Sequence, residues 1–80
     1  MTTSTLSTKT YQGWANYETW NVALYIGNHY GLYNQARRSK TYQDLVNYLY
    51  KCGSTETPDG VKWTDTKIDG IAINKMMKDL

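Results

Sequence analysis

Apolar residues recur at helical spacing along most of this chain. In the first such run, Trp20, Ala23, Leu24 and Gly27 follow one another at intervals of three, four and seven, with Val22 and Ile26 on a neighbouring strip. Asn16 stands just ahead of the run. Its side chain suits the open amides of a first turn, so a helix is predicted to begin near Asn16 or Tyr17. At about 100° per residue the apolar arc spans more than half of this helix. That predicts a central element, touched from several sides. Only Glu18, Asn21 and Tyr25 line up along the polar remainder.

The stretch Gly27 to Gly31, "GNHYG", breaks the pattern, with Asn28 placed to end one helix or cap the next. A short second helix is predicted over roughly His29 to Ser39, with Leu32, Tyr33 and Ala36 inward. Arg37, Arg38 and Lys40 fall at its C-terminal end, where the macrodipole favours positive charge. The third helix has the clearest signals. Thr41 and Asp44 form a start resembling a capping box, Tyr42, Leu45, Val46, Leu49 and Cys52 share a face, and Gly53 supplies the stop. Tyr48 falls nearer the polar side. Pro58-Asp59-Gly60 then reads as a reverse turn, and Val61 and Trp63 alternate around Lys62 as a short extended piece that drops two side chains on the core. Thr66 and Asp69 repeat the capping pattern ahead of a last helix running to about Lys78. This helix carries two apolar strips, Ile68, Ile71 and Ala72, then Ile73, Met76, Met77 and Leu80, and Gly70 weakens it by about 1 kcal/mol relative to Ala. Either it is gripped on two sides or one strip meets another molecule. No segment alternates well enough to demand a sheet. The fold class is therefore all-α: a compact bundle of three or four helices, with a structured turn before the last one. Residues 1–10, polar apart from Met1 and Leu6, read as a flexible N-terminal tail, and residues 11–80 as a single helical domain.

Composition changes this picture in one respect. A chain of 80 residues buries only roughly 60% of the surface its unfolded form exposes, and such domains often rely on staples. Here a lone Cys52 excludes an intrachain disulfide and a Cys-based zinc site. Three Trp and eight Tyr, with no Phe, take over. Large rings bury on the order of 150–250 Å² each, so Trp14, Trp20 and Trp63 are assigned to the core. Tyrosines keep a hydroxyl that wants a partner, and a surplus of them suggests rings lying half outside. The lone thiol, and the lack of a signal peptide or an apolar run long enough to span a membrane, point to a cytoplasmic protein. A net charge of +2 is close to neutral, well below the usual bias of a nucleic-acid module.

At Trp14, Asn16 to Trp20, Asn28, Gly31 to Tyr33, and Thr57 to Val61 with Trp63, the chain resembles a family of small proteins from bacteriophages, prophages and bacterial mobile elements, known mainly as a domain of unknown function. The shared marks are Trp-x-Asn-Tyr-Glu-Thr-Trp, then Asn-x-x-Gly-Leu-Tyr, then Thr-Pro-Asp-Gly-Val-x-Trp. His29 and Tyr30 stand where members often carry acidic residues. The resemblance implies a bacterial host cell as the setting, and for short proteins of that origin a role in binding and modulating a host protein.

The chemistry available is sparse. His29, the one histidine, has no nucleophile or carboxylate fixed beside it by sequence, and zinc would need several more ligands. Asp65, Asp69 and Asp59 are explained by helix starts and a turn. No catalytic, cofactor or metal residues are assigned, and the chain reads as non-enzymatic. Arg37, Arg38 and Lys40 beside tyrosines resemble a weak single-strand nucleic-acid contact. Three phosphate contacts give little affinity, so this is the second reading. The first is a protein that docks onto a host or viral protein through Glu18, Asn21, Tyr25, His29, Tyr30, Arg37 and Arg38, since Tyr, Trp and Arg are favoured interface anchors. Inhibition of a host defence, such as an anti-CRISPR role, is one version of it. Monomer and homodimer both remain open.

Overall fold

The computed structural model describes residues 13–80. The tail anticipated over residues 1–10 lies outside them. Among the described residues there are four helices and no strand: α1 (Tyr17–Asn28), α2 (Tyr30–Arg38), α3 (Tyr42–Lys51) and α4 (Gly70–Lys78). The all-α reading holds, and the ends of the helices show why.

Asn16 lies in an extended conformation and its side-chain oxygen accepts from the Thr19 amide at 2.8 Å. This satisfies one of the open donors of the first turn. The break at Gly27–Gly31 is narrower than its two glycines suggest. It is a joint of one residue, His29, and not Asn28, which closes α1 as its last residue. The His29 amide donates to the Tyr25 carbonyl at 3.0 Å, and its own carbonyl accepts from Tyr33 at 2.8 Å. Thr41 caps α3 by accepting from the Asp44 amide at 3.2 Å, and Gly53 takes the left-handed φ of 86° that ends it. Because the helix stops at Lys51, Cys52 leaves the apolar face on which its spacing placed it, and it is exposed.

The start of α4 differs from the expectation. Thr66 caps nothing. Asp69 is itself the cap, its carboxylate accepting from Ala72 at 3.1 Å. The Asp65 carboxylate takes the Lys67 amide at 2.8 Å and the Thr19 hydroxyl takes the Asp69 amide at 2.9 Å. Those two contacts bind residues 65–69 as a turn, so the helix begins at Gly70. Glycine there sits at a terminus, where its cost is small.

α2 and α4 each touch the other three helices, while α1 and α3 do not meet. The loop from residue 54 to 69 fills the remaining side of α1. Val22, Ile26, Ala36, Leu45 and Ile73 form the centre, closed by Val61, Trp63 and Met77. Burying each large aliphatic side chain contributes about 1.5–3 kcal/mol. The inward face of α1 is Thr19, Val22, Ala23 and Ile26, a step round from the expected Trp20–Ala23–Leu24–Gly27 stripe, and Trp20 and Leu24 flank it half-buried. Of the three tryptophans assigned to the core, Trp63 is 3% exposed, whereas Trp14 and Trp20 are only partly covered. The two strips of α4 also separate: Ile73 and Met77 are buried, Met76 and Leu80 pack against them, and Ile71 is 75% exposed.

Candidate functional site

The polar strip of α1 is occupied by the chain's own loop. Thr57, Pro58, Asp59 and Gly60 form the anticipated turn: the Gly60 amide donates to the Thr57 carbonyl at 2.9 Å, the Thr57 amide to the Val61 carbonyl at 2.8 Å, and Gly60 takes φ 88°. Asn21 reads this turn with both ends of its amide. Its oxygen accepts from the Thr57 hydroxyl at 2.7 Å and its NH₂ donates to Asp59 at 2.8 Å. The Thr57 hydroxyl accepts in turn from the Val61 amide at 3.1 Å. Asn21 is 0% exposed, so it cannot meet a partner protein, contrary to its assignment to a docking surface. An asparagine on a polar strip looks solvated in sequence; its partners lie 36 and 38 positions away.

Glu18 is drawn into the same arrangement. It approaches the Lys67 ammonium at 4.0 Å, a screened surface pair worth roughly 0–1 kcal/mol. Asn16 donates to the Lys67 carbonyl at 2.6 Å, and Thr19 holds Asp69 as described. Partial burial first, then the neighbouring Asp59 carboxylate, raise the Tyr25 phenol above its usual value of 10.0. Residues Asn16 to Tyr25 thus act as a rack for the loop.

Beside this rack lies an open cleft of about 470 Å³, lined by the end of α1, one face of α2, the end of α3 and the loop. Leu32, Leu49, Pro58 and Trp63 give it apolar surface; Tyr25, His29, Gln35, Tyr48, Cys52 and Glu56 give it polar groups. The neighbouring Cys52 thiol first, then partial burial, raise the Tyr48 phenol above its usual range, while the charge of Arg38 pulls it the other way. No hydrogen bond joins His29 to Cys52 among the described residues, and no three of their His, Cys, Asp and Glu side chains come together as a metal cluster.

The remaining assigned residues divide on α2. At about 100° per residue, Tyr30, Tyr33 and Arg37 share the outer strip, and Gly31, Gln35 and Arg38 share the cleft side. Tyr30 is 80% exposed. Tyr33, taken as inward, is half-buried and carries the Arg37 guanidinium 5.9 Å from its ring centroid, a cation–π distance. The one ion pair among the described residues is Glu18–Lys67, so neither arginine is matched by a carboxylate. Of the seven assigned positions, then, Tyr25 and His29 line the cleft, Arg38 lies beyond its lining on the same face of α2 as Gln35, Tyr30 and Arg37 lie on the adjoining strip, and Glu18 and Asn21 belong to the rack. Gln35, Cys52 and Glu56 were missed, because they meet only once the loop folds back.

These features define a small helical domain whose first helix is committed to its own loop and whose second helix is left open to solvent. The chain belongs to a family of unknown function, DUF7249, whose model matches residues 7–80. No curated protein and no solved structure matches it. No helix of the described residues is long and apolar enough to cross a membrane.

Proposed function

We propose that this chain is a non-enzymatic binding protein that docks onto a host or viral protein through α2 and the cleft beside it, and modulates or blocks that partner. One observation carries the reading: α2 bears a largely exposed tyrosine at its start and two arginines without carboxylate partners at its end, beside an open, apolar-walled cleft. Tyr and Arg at such a place are the residue types that supply interface energy. The motif resemblance to phage and mobile-element proteins supports a bacterial cytoplasmic setting and a role in host takeover, of which inhibition of a defence system such as CRISPR is one form.

Affinity capture from bacterial lysate, comparing the natural chain with a Tyr30→Ala/Arg37→Glu/Arg38→Glu variant, tests this. A partner retained by the first and lost by the second supports it. Recovery of nothing above background, or equal recovery by both, overturns it.

Arg37 stacked on Tyr33 beside Tyr30 favours a second reading, a weak nucleic-acid accessory protein using Arg37, Arg38 and Lys40. Titration with labelled DNA and RNA at low salt decides it, and absence of binding there removes it.

A further inference from the structure

Charge is placed unevenly around the cleft. No Lys or Arg lines it, and Glu56 is the one carboxylate among its lining residues. A second carboxylate, Asp59, neighbours the Tyr25 phenol of the cleft wall. Neither acid is in an ion pair, since Glu18–Lys67 is the one such pair among the described residues. Lys62 faces Glu56 across an isolated antiparallel bridge, yet it is not a lining residue. The loop side is therefore anionic without a matching cation. The rest of the reachable wall is aromatic or neutral. Tyr48 is 42% exposed, His29 and Pro58 are exposed, and Tyr25, Leu32 and Gln35 are half-buried. Leu49 and Trp63 belong to the core and offer an occupant little surface.

We infer that this cleft takes an arginine side chain from a partner protein, with its guanidinium on Glu56 and its stem among Tyr25, Tyr48 and Leu32. The inference rests on the binding reading above and specifies one residue of the partner. An incoming carboxylate or phosphate would meet Glu56 and no cation. An aliphatic side chain would cover the phenols and Gln35 without replacing the water they bond. A guanidinium meets both conditions. Its fork of donors matches a carboxylate, its plane stacks on phenol rings, and its apolar stem covers Leu32. Arg38, whose charge reaches Tyr48, confines the guanidinium to the Glu56 side. The cleft thus presents the sign opposite to the arginines of α2, which fixes the orientation of a partner that meets both.

Panning a random short-peptide library against the immobilised full chain tests the assignment. Recovered sequences are expected to share an arginine. A synthetic copy of the leading sequence should shift the amide resonances of Gly31, Gln35, Cys52 and Glu56. Its affinity should fall about fivefold or more in Glu56→Gln, the loss of one partly screened ion pair, and should also fall in Tyr48→Leu. Replacing the peptide's arginine by lysine should weaken binding, and replacing it by citrulline more so. Asp44→Asn, outside the lining, should change nothing. Glu56 is exposed, and an unchanged melting temperature confirms that the variants are folded. A panning that returns nothing, enrichment of acidic or uncharged sequences, shifts elsewhere on the molecule, or binding indifferent to Glu56→Gln overturns the assignment. A lysate partner that depends on Tyr30 and Arg37 but is fully retained by Glu56→Gln keeps the binding reading and removes the arginine site.

Discussion

Tyr42 shows how a single side chain acts on both packing and pH dependence. Its hydroxyl donates to the Trp63 carbonyl at 2.6 Å in the core, while its amide donates to Asn74 at 2.6 Å. Burial, and then the nearby Tyr50, raise its phenol well above 10.0. The folded chain therefore keeps this proton at pH values where the unfolded chain has released it. Stability from this group is fully present below about pH 10 and is lost as pH rises above it. Urea unfolding midpoints measured between about pH 9 and about pH 11.5 should fall, and Tyr42→Phe should flatten the fall while costing about 1 kcal/mol near neutrality for the lost hydrogen bond. Asn21 is a second such position. Asn21→Ala strands the Thr57 hydroxyl and removes a donor from Asp59, so we expect a loss of about 2 kcal/mol. The double-mutant cycle with Asp59→Ala should return a coupling of about 0.5–3 kcal/mol, whereas a solvated Asn21 would return none.

Two glycines test the turn and the last helix in opposite directions. Gly60 closes the loop turn with φ 88°, a region costly for residues bearing a Cβ. Gly60→Ala should cost about 1–2 kcal/mol and lower the melting temperature by several degrees. Gly70 opens α4, its φ is not in the left-handed region, and no atom lies within 4 Å of where a Cβ would be. Gly70→Ala should stabilise the chain by about 0.4–1 kcal/mol, chiefly by restricting the unfolded state. Thermal unfolding of the pair gives both signs in one experiment. Had α4 begun at Thr66, as its spacing suggested, Gly70 would be internal and the gain nearer the full interior penalty.

At the scale of the molecule, α1 and the outer strip of α2 differ in what they face. Residues of the rack hold the loop, and in the proposed reading Tyr30 and Arg37, exposed on α2, meet the partner. Tyr30→Ala touches no buried group and should change stability by less than about 0.5 kcal/mol, whereas Arg37→Glu, which loses the Tyr33 ring and reverses the charge at the end of α2, should cost about 1 kcal/mol, read as a shift of several degrees by calorimetry. The same substitutions should abolish capture of the partner. Asn21→Ala should do the reverse, lowering the melting temperature while any partner affinity measured below the transition is kept. If Tyr30→Ala destabilises as much as Asn21→Ala, the division is wrong.

Periodicity and cap chemistry by themselves determined much of this protein: three or four helices in order, the caps Asn16 and Thr41, the Gly53 stop, the Pro58–Gly60 turn, and the burial of Val61 and Trp63; that the Ile73 strip of α4 turns inward was left for the tertiary structure to decide. These follow from contacts between residues a few positions apart, which spacing records directly. The candidate site was half legible. Exposed Tyr30, Arg37 and Arg38 at one helix could be read from α2 alone. Only the tertiary structure decided that Asn21 is buried, that Asp69 and not Thr66 starts α4, and that Gln35, Cys52 and Glu56 share a cleft with His29. Each of those depends on the loop from residue 54 to 69 folding back on α1. A polar side chain tens of residues from its partner carries no mark in the sequence of whether water or protein will satisfy it.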